Sequence, residues 1–302
     1  MPKATDLHST GHAPKILGLA WGLLGVGLWA GSFVLTRLGV KTTLNPYDII
    51  ALRFGFAGIV LLPVIARQGF AFGRLGWIGS TVLIAGSGAP YALLSAVGLK
   101  FAPASQAAAL IPGFMTAIVA VLGVVLLHER LMRRQWGSVG AILTGCLLIS
   151  GMSAEGEESI GHAIFLCAAI LWAGYVFVLR QTGLSALHAT AISAVASALG
   201  YLPIYAVLLP HAIDHAPWPD IVLQAVYQGG LTTVVGLLAF NQAVRLLGAT
   251  GGSALSSLIP VVTLVLGAML LGDIPGPFDL FAASLITGGV ASQALLTRRR
   301  LR

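Results

Sequence analysis

Apolar stretches separated by short polar or charged segments follow one another along almost the entire chain. Windows bounded by charges, prolines or glycines place ten of them near 16–36, 47–66, 76–98, 102–127, 136–153, 161–180, 189–209, 221–244, 253–271 and 278–296. Each has about the 20 residues that a helix needs to cross roughly 30 Å of hydrocarbon, and a helix satisfies its own backbone hydrogen bonds there. The pattern predicts an all-α polytopic membrane protein with ten transmembrane helices.

The composition supports a membrane protein and gives no sign of a bound cofactor. Only 9% of the 302 residues are charged and 57% are hydrophobic, whereas about a quarter of the residues in soluble domains are charged. The net charge of +7 does not indicate nucleic-acid binding, because the basic residues are spread over loops and tails. Cys146 and Cys167 lie in apolar stretches without ligand spacing, so neither a disulfide framework nor a metal site is expected.

The basic residues also predict the orientation of the chain in the membrane. If the N-terminus is cytoplasmic, thirteen Lys and Arg residues fall inside and three, Arg37, Lys41 and Lys100, fall outside. Cytoplasmic loops carry the excess of basic residues in membrane proteins. We therefore expect a multi-pass protein of the cell inner (plasma) membrane, with a cytoplasmic N-terminal tail (1–15) and a basic cytoplasmic C-terminal tail (297–302).

Two phrases recur in the same order and indicate an internal duplication. LWAGSFVLTR at 28–37 returns as LWAGYVFVLR at 171–180, and LKFAPASQAAALIP at 99–112 returns as LGATGGSALSSLIP at 247–260. Each copy contains five apolar stretches, so the second copy must enter the membrane from the opposite side. Chance similarity between apolar sequences could explain one phrase, but it explains an ordered pair less well. The duplication predicts two inverted halves.

These phrases, together with ALRFGFAG at 51–58 and the two Leu-Ile-Pro triplets, resemble the drug/metabolite transporter superfamily, specifically its ten-helix type with two EamA repeats. The resemblance implies a first repeat at 16–153 (helices 1–5) and a second, inverted repeat at 161–296 (helices 6–10). It also implies export of metabolites. Within the family the chain looks most like aromatic amino acid exporters, because of Tyr91 and the Trp172-to-Tyr175 stretch.

Aromatic and polar residues in mid-stretch are candidates for a substrate cavity, because a polar side chain in hydrocarbon is costly unless it faces protein or water. The predicted substrate-binding set is Trp29, Ser32, Tyr91, Trp172, Tyr175, Thr232 and Gln242. Four of these come from the repeated phrases, three apart on one helix face in each copy. Inverted repeats bind substrate near the midplane, so the aromatics form two walls of one cavity or else pack as ordinary bundle residues.

Three further residues have open alternatives. Pro112 and Pro260 end the two copies of the second phrase, and they are predicted to interrupt their helices in the middle, either as hinges for alternating access or only to shape the bundle. Arg53 lies within the second stretch and either pairs with Asp48, five residues earlier, or reaches a substrate carboxylate. The ALRF phrase resembles a feature shared across the family, and this favours a structural role for Arg53.

The expected function is export of aromatic or other apolar amino acids and related amphipathic metabolites by alternating access. No Asp or Glu lies in the centre of a stretch, so facilitated rather than proton-coupled transport is predicted. The alternatives are a drug or nucleoside exporter of the same superfamily or, less well supported, a channel. An enzyme is not expected, since HExxH, GxSxG and paired aspartates are missing from the sequence. The expected partners are a small-molecule substrate and the lipid bilayer, without nucleic acid, and the sequence leaves open whether the protein is a monomer.

Overall fold

The computed structural model describes residues 13–152 and 156–300, and all regular structure in these two ranges is helical. The elements are α1 (Ala13–Lys41), α2 (Pro46–Gln68), α3 (Phe72–Ser87), α4 (Ala89–Phe101), α5 (Ala104–Leu127), α6 (Arg133–Met152), α7 (Glu157–Thr182), α8 (Ala186–Leu208), a 3₁₀ turn (Ile213–His215), α9 (Trp218–Gln224), a π-helix (Ala225–Val235), α10 (Gly236–Ser256), α11 (Ile259–Leu271) and α12 (Pro277–Arg300). Most of the predicted N-terminal tail, the end of the first predicted repeat and the last two residues lie outside the described ranges.

Seven helical segments of the described chain are long and apolar enough to cross a membrane. They are Lys15–Lys41, Pro46–Gln68, Phe72–Phe101, Ala104–Leu127, Glu157–Thr182, Ala186–Leu208 and Trp218–Leu247. A shorter apolar helix, α11, follows them, and α6 and α12 pack against each other. The prediction of an all-helical multi-pass membrane protein is therefore confirmed.

The third predicted stretch, 76–98, is not one continuous helix. The chain turns at Gly88, with φ −96° and ψ −152°, and this residue separates α3 from α4. Ser197 Oγ of α8 accepts a hydrogen bond of 2.9 Å from the Ala89 N–H freed by the break. A Cβ at Gly88 would overlap this oxygen and the carbonyl oxygen of Ile84. A small residue and a polar partner on another helix thus explain the interruption.

The eighth and ninth predicted stretches also differ from regular helices. Between α9 and α10 the backbone forms a π-helix, where Thr233 Oγ1 donates a 2.7 Å hydrogen bond to the carbonyl of Gln228. Farther on, α10 continues to Ser256, and α11 starts only at Ile259, so Pro260 lies in the first turn of α11. The prediction that Pro260 lies in the middle of a helix is therefore wrong. A proline in the first turn removes no helical hydrogen bond, so Pro260 does not interrupt its helix. Pro112, by contrast, lies inside α5.

Helix packing in the first half has a counterpart in the second. Helix α1 packs against α10, and α7 packs against α3 and α4; likewise α1 packs against α11, and α7 against α5. Helix α2 also packs against the π-helix, as α8 packs against α3, and two further contacts join corresponding helices of the two halves, α2 to α8 and α6 to α12. Exchanging the first five predicted segments with the last five therefore reproduces the main contacts.

Candidate functional site

Two aromatic pairs join the two halves of the chain. Trp29 of α1 packs on Phe240 of α10, with ring centroids 5.2 Å apart and planes inclined by 45°. Trp172 of α7 packs on Tyr91 of α4, at 5.5 Å and 41°. Each tryptophan comes from a copy of the repeated phrase, and each partner comes from the third segment of the opposite half. Tilted rings at these separations attract each other in addition to the area that they bury.

The two aromatic pairs belong to neighbouring hydrophobic clusters. Trp29 packs against the cluster around Val26 and Ala30, while Tyr91 and Trp172 pack against the large cluster that contains α5. Phe33, one turn beyond Trp29, contacts both clusters. All four residues of the pairs are partly exposed. The pairs therefore lie at the edges of the hydrophobic clusters, between the two halves of the chain.

Tyr175, the predicted partner of Trp172 on the same helix face, lies against α3. A Cβ on Gly86 would come within 2.7 Å of the Tyr175 Cβ, so the glycine lets the two helices approach closely. Tyr175 packs against the cluster formed by α2, α3, α4 and α8 and is partly buried. The structure thus places Tyr175 against α3 and Trp172 against Tyr91 of α4.

Ser32, which occupies the position of Tyr175 in the first copy, is used in a polar network. Its hydroxyl donates a 2.6 Å hydrogen bond to Gln228 Oε1 in the π-helix. Gln228 is fully buried, and its Nε2 donates to Thr36 Oγ1 at 2.9 Å and to the Ser32 carbonyl at 3.2 Å. A buried amide with all of its groups paired holds α1 against the π-helix.

The other two predicted polar residues lie on the same segment but have different surroundings. Thr232 is buried, and its hydroxyl lies 3.5 Å from the Leu28 carbonyl of α1, at the limit of a hydrogen bond. Gln242 is one turn past Ala239 in α10 and is partly exposed. Tyr227 donates a 3.3 Å hydrogen bond to the same Leu28 carbonyl. The predicted polar face is therefore mainly a contact surface between α1 and its neighbour.

Arg53 does not form the predicted pair with Asp48. The Asp48 carboxylate accepts hydrogen bonds from the Asn45 N–H at 2.9 Å, the Tyr205 hydroxyl at 2.7 Å and the Ala212 N–H. It is fully buried and completes the capping box at the start of α2. Asp48 thus fixes the start of α2 against the 209–212 connection, and its hydrogen bonds in the described chain are made to groups other than Arg53.

The arginines that close the repeated phrase form two ion pairs at opposite ends of the bundle. Arg37 Nε lies 2.9 Å from Asp273 Oδ2, and Arg180 Nη2 lies 2.8 Å from Glu129 Oε1. Arg37 also donates to the carbonyl of Ala102, just before α5, whereas Glu129 follows α5. Because α5 has 24 residues, it separates the two ends by about 36 Å at 1.5 Å per residue.

An open groove of about 830 Å³ lies away from these residues, between α6 and α12. Its lining is rich in small side chains, including Gly137, Ser138, Gly288 and Gly289, and it contains none of the predicted substrate-binding residues. Sequence reasoning instead missed Phe240, which lies one residue from the position equivalent to Tyr91 if the offset of the second repeated phrase is applied.

Comparison with known proteins identifies the relatives of the chain. The model of the EamA-like transporter family matches it twice, at residues 16–151 and 159–293. A probable terminal-alkyne amino-acid exporter of Streptantibioticus cattleyicolor is 26% identical over 95% of the chain and 96% of that protein. A probable amino-acid metabolite efflux pump of Salmonella typhimurium is 28% identical over 89% and 91%. A crystal structure with 21% identity covers 96% of the chain and has a TM-score of 0.59, which supports the fold.

Proposed function

The chain belongs to the EamA-like transporter family, and from this premise we propose that it exports amino acids with aromatic or other apolar side chains. The observation that carries the proposal is the pair of aromatic contacts, Trp29 with Phe240 and Trp172 with Tyr91, formed across the two halves. Partly exposed rings suit an apolar solute side chain, and a few polar groups suffice to orient it. The names of two relatives refer to amino-acid export.

We further propose that the chain crosses the membrane ten times, as two inverted repeats at 16–153 and 161–296. The protein lies in the cell inner membrane in this proposal, and both termini are cytoplasmic. Two observations support this topology: the family model matches twice, and the helix contacts exchange when the halves are exchanged. Arg37 and Arg180, at the same position of the phrase, occupy opposite ends of the bundle. An inverted repeat requires that relation.

Transport is proposed to be facilitated alternating access, centred on the aromatic residues. Pro112, inside α5, is a candidate hinge, since its ring removes one backbone hydrogen bond. The break at Gly88 and the π-helix fall in corresponding third segments of the two halves. Interrupted helices of this kind occur at transporter binding sites. Pro260, in the first turn of α11, fits a structural role.

Counterflow of labelled L-phenylalanine in proteoliposomes tests the proposal. Saturable counterflow, inhibited by other apolar amino acids, is expected from a carrier of this kind. Flux that rises linearly with concentration and lacks counterflow would identify a channel. Inhibition only by nucleosides or lipophilic cations would identify a different substrate class. A strict requirement for a pH gradient would contradict the facilitated mechanism while leaving the substrate assignment intact.

A further inference from the structure

One charged side chain within the bundle has no assigned partner. Arg53 is the eighth residue of α2, so its Cα lies about 10 Å from the end of the helix at 1.5 Å per residue. Its Nε is buried and has no hydrogen-bond partner within the described chain. A guanidinium within a membrane-spanning helix carries a desolvation cost, and proteins normally offset this cost with a carboxylate or with backbone carbonyls.

The surroundings of Arg53 contain aromatic groups and no carboxylate among the described residues. The guanidinium carbon lies 5.7 Å from the centroid of the Phe54 ring. Phe54 and Tyr91 pack in the same hydrophobic cluster. Asp48, the acidic residue of the same helix, uses its oxygens for the helix cap. Arg53 therefore keeps an unpaired Nε donor in the part of the bundle where Phe54 and Tyr91 pack together.

The side chain also retains access to its surroundings. Arg53 is partly exposed as a residue although its Nε is buried, and Tyr91 and Trp172 are partly exposed as well. The carbonyl oxygen of Arg53 would lie 2.8 Å from a Cβ built on Gly229 of the π-helix, so α2 and the π-helix approach each other closely at this residue.

We propose that Arg53 binds the carboxylate of the transported solute, with the Tyr91–Trp172 ring pair contacting the neighbouring apolar group. Guanidinium donors match a carboxylate in a planar, two-point geometry, and such bonds are stronger in a site with little water. The inference rests on the proposed function and deepens it. The solute must carry a carboxylate, whereas its amino group is not required at this point of the site.

Ligand protection of the purified full-length protein in detergent tests the inference without measuring transport. The probes are L-phenylalanine, 3-phenylpropionate, which lacks the amino group, and 2-phenylethylamine, which lacks the carboxylate. We expect the first two to raise the unfolding temperature of the wild type and the amine to have no effect. Arg53→Gln should raise the half-saturating concentration of both carboxylates about tenfold or more, as expected for a lost charge-assisted hydrogen bond.

Two variants separate binding from folding. Arg67→Gln removes an exposed charge from the end of the same helix and should leave the half-saturating concentrations unchanged. Arg53→Lys keeps the charge without the planar fork, so an intermediate weakening is expected. If Arg53→Gln does not fold, the lysine variant and the three probes on the wild type still test whether Arg53 binds the carboxylate. Equal protection by the amine, or unchanged affinity in a folded Arg53→Gln protein, would overturn the inference.

Failure of the inference and failure of the proposed function give different results. If phenylalanine shows counterflow but its affinity is insensitive to Arg53, the function stands and the carboxylate contact is wrong. If phenylalanine shows no counterflow while 3-phenylpropionate or another organic acid protects through Arg53, the carboxylate contact stands and amino-acid export is wrong. Absence of protection by every member of a panel of amino, hydroxy and keto acids would contradict the carboxylate contact directly.

Discussion

The two arginines at the end of the repeated phrase form equivalent ion pairs in unequal surroundings. At one end of the bundle the side chains of Arg37 and Asp273 are only 6% and 21% exposed, and Arg37 also donates to the carbonyls of Leu99 and Ala102. At the other end, the side chains of Arg180 and Glu129 are 44% and 29% exposed. The duplicated sequence thus places the same contact at both ends, and burial decides how firmly each end is held.

Removing the buried arginine has the largest expected effect. Arg37→Ala would leave Asp273 and two carbonyls without their donor, and we expect the free energy of unfolding in mixed micelles to fall by about 3 kcal/mol. Denaturant titration followed by tryptophan fluorescence measures it. Exchanging the charges, Arg37→Asp with Asp273→Arg, should recover only part of the loss, because the carbonyls still lack their donor. A loss no larger than that of Arg180→Ala would show that burial does not distinguish the two ends.

The corresponding third segments differ in a second way. One is broken at Gly88, and the other widens into a π-helix. Gly88→Ala would push a methyl group into Ser197 Oγ and the Ile84 carbonyl, and we expect a loss of about 2 kcal/mol. Gly79→Ala is the matched control in α3, where the new Cβ would make only ordinary contacts at 3.6 Å and beyond. Equal stability of the two variants would show that the break does not depend on the glycine.

The sequence does not predict the two irregular segments, the break at Gly88 and the π-helix. Apolar length predicts the seven long apolar helices, and the repeated phrase contains both tryptophans of the aromatic pairs. The break at Gly88 was not predicted, because it depends on Ser197, more than a hundred residues away. Similarly, Gln228 owes its role to Ser32 and Thr36 of α1. Tertiary contacts of this kind leave no periodic signal in a single segment.

The aromatic pairs allow a smaller, functional comparison of the two halves. Trp172→Ala and Tyr91→Ala should each lower the rate of L-phenylalanine counterflow about tenfold, equivalent to about 1.4 kcal/mol. Trp29→Ala should lower it less, because its neighbours Ser32 and Gln228 hold each other and no arginine lies beside it in the described contacts. Ser80→Ala, which removes a hydroxyl bonded to the Gly76 carbonyl, is the control at matched membrane abundance. Equal activity of all four variants would contradict the site.

The smallest effect is expected at the exposed ion pair. Since both partners are substantially accessible, Arg180→Ala should reduce the free energy of unfolding by less than about 1 kcal/mol. Even that loss should shrink at about 1 M salt, where screening acts within roughly 3 Å. Repeating the Arg37→Ala titration at the same salt supplies the contrast, since a buried pair is screened much less. If salt reduced both effects equally, the two ends would be held alike. A difference would mean that the Arg180 end, on the cytoplasmic side in the proposed topology, separates at lower cost than the Arg37 end.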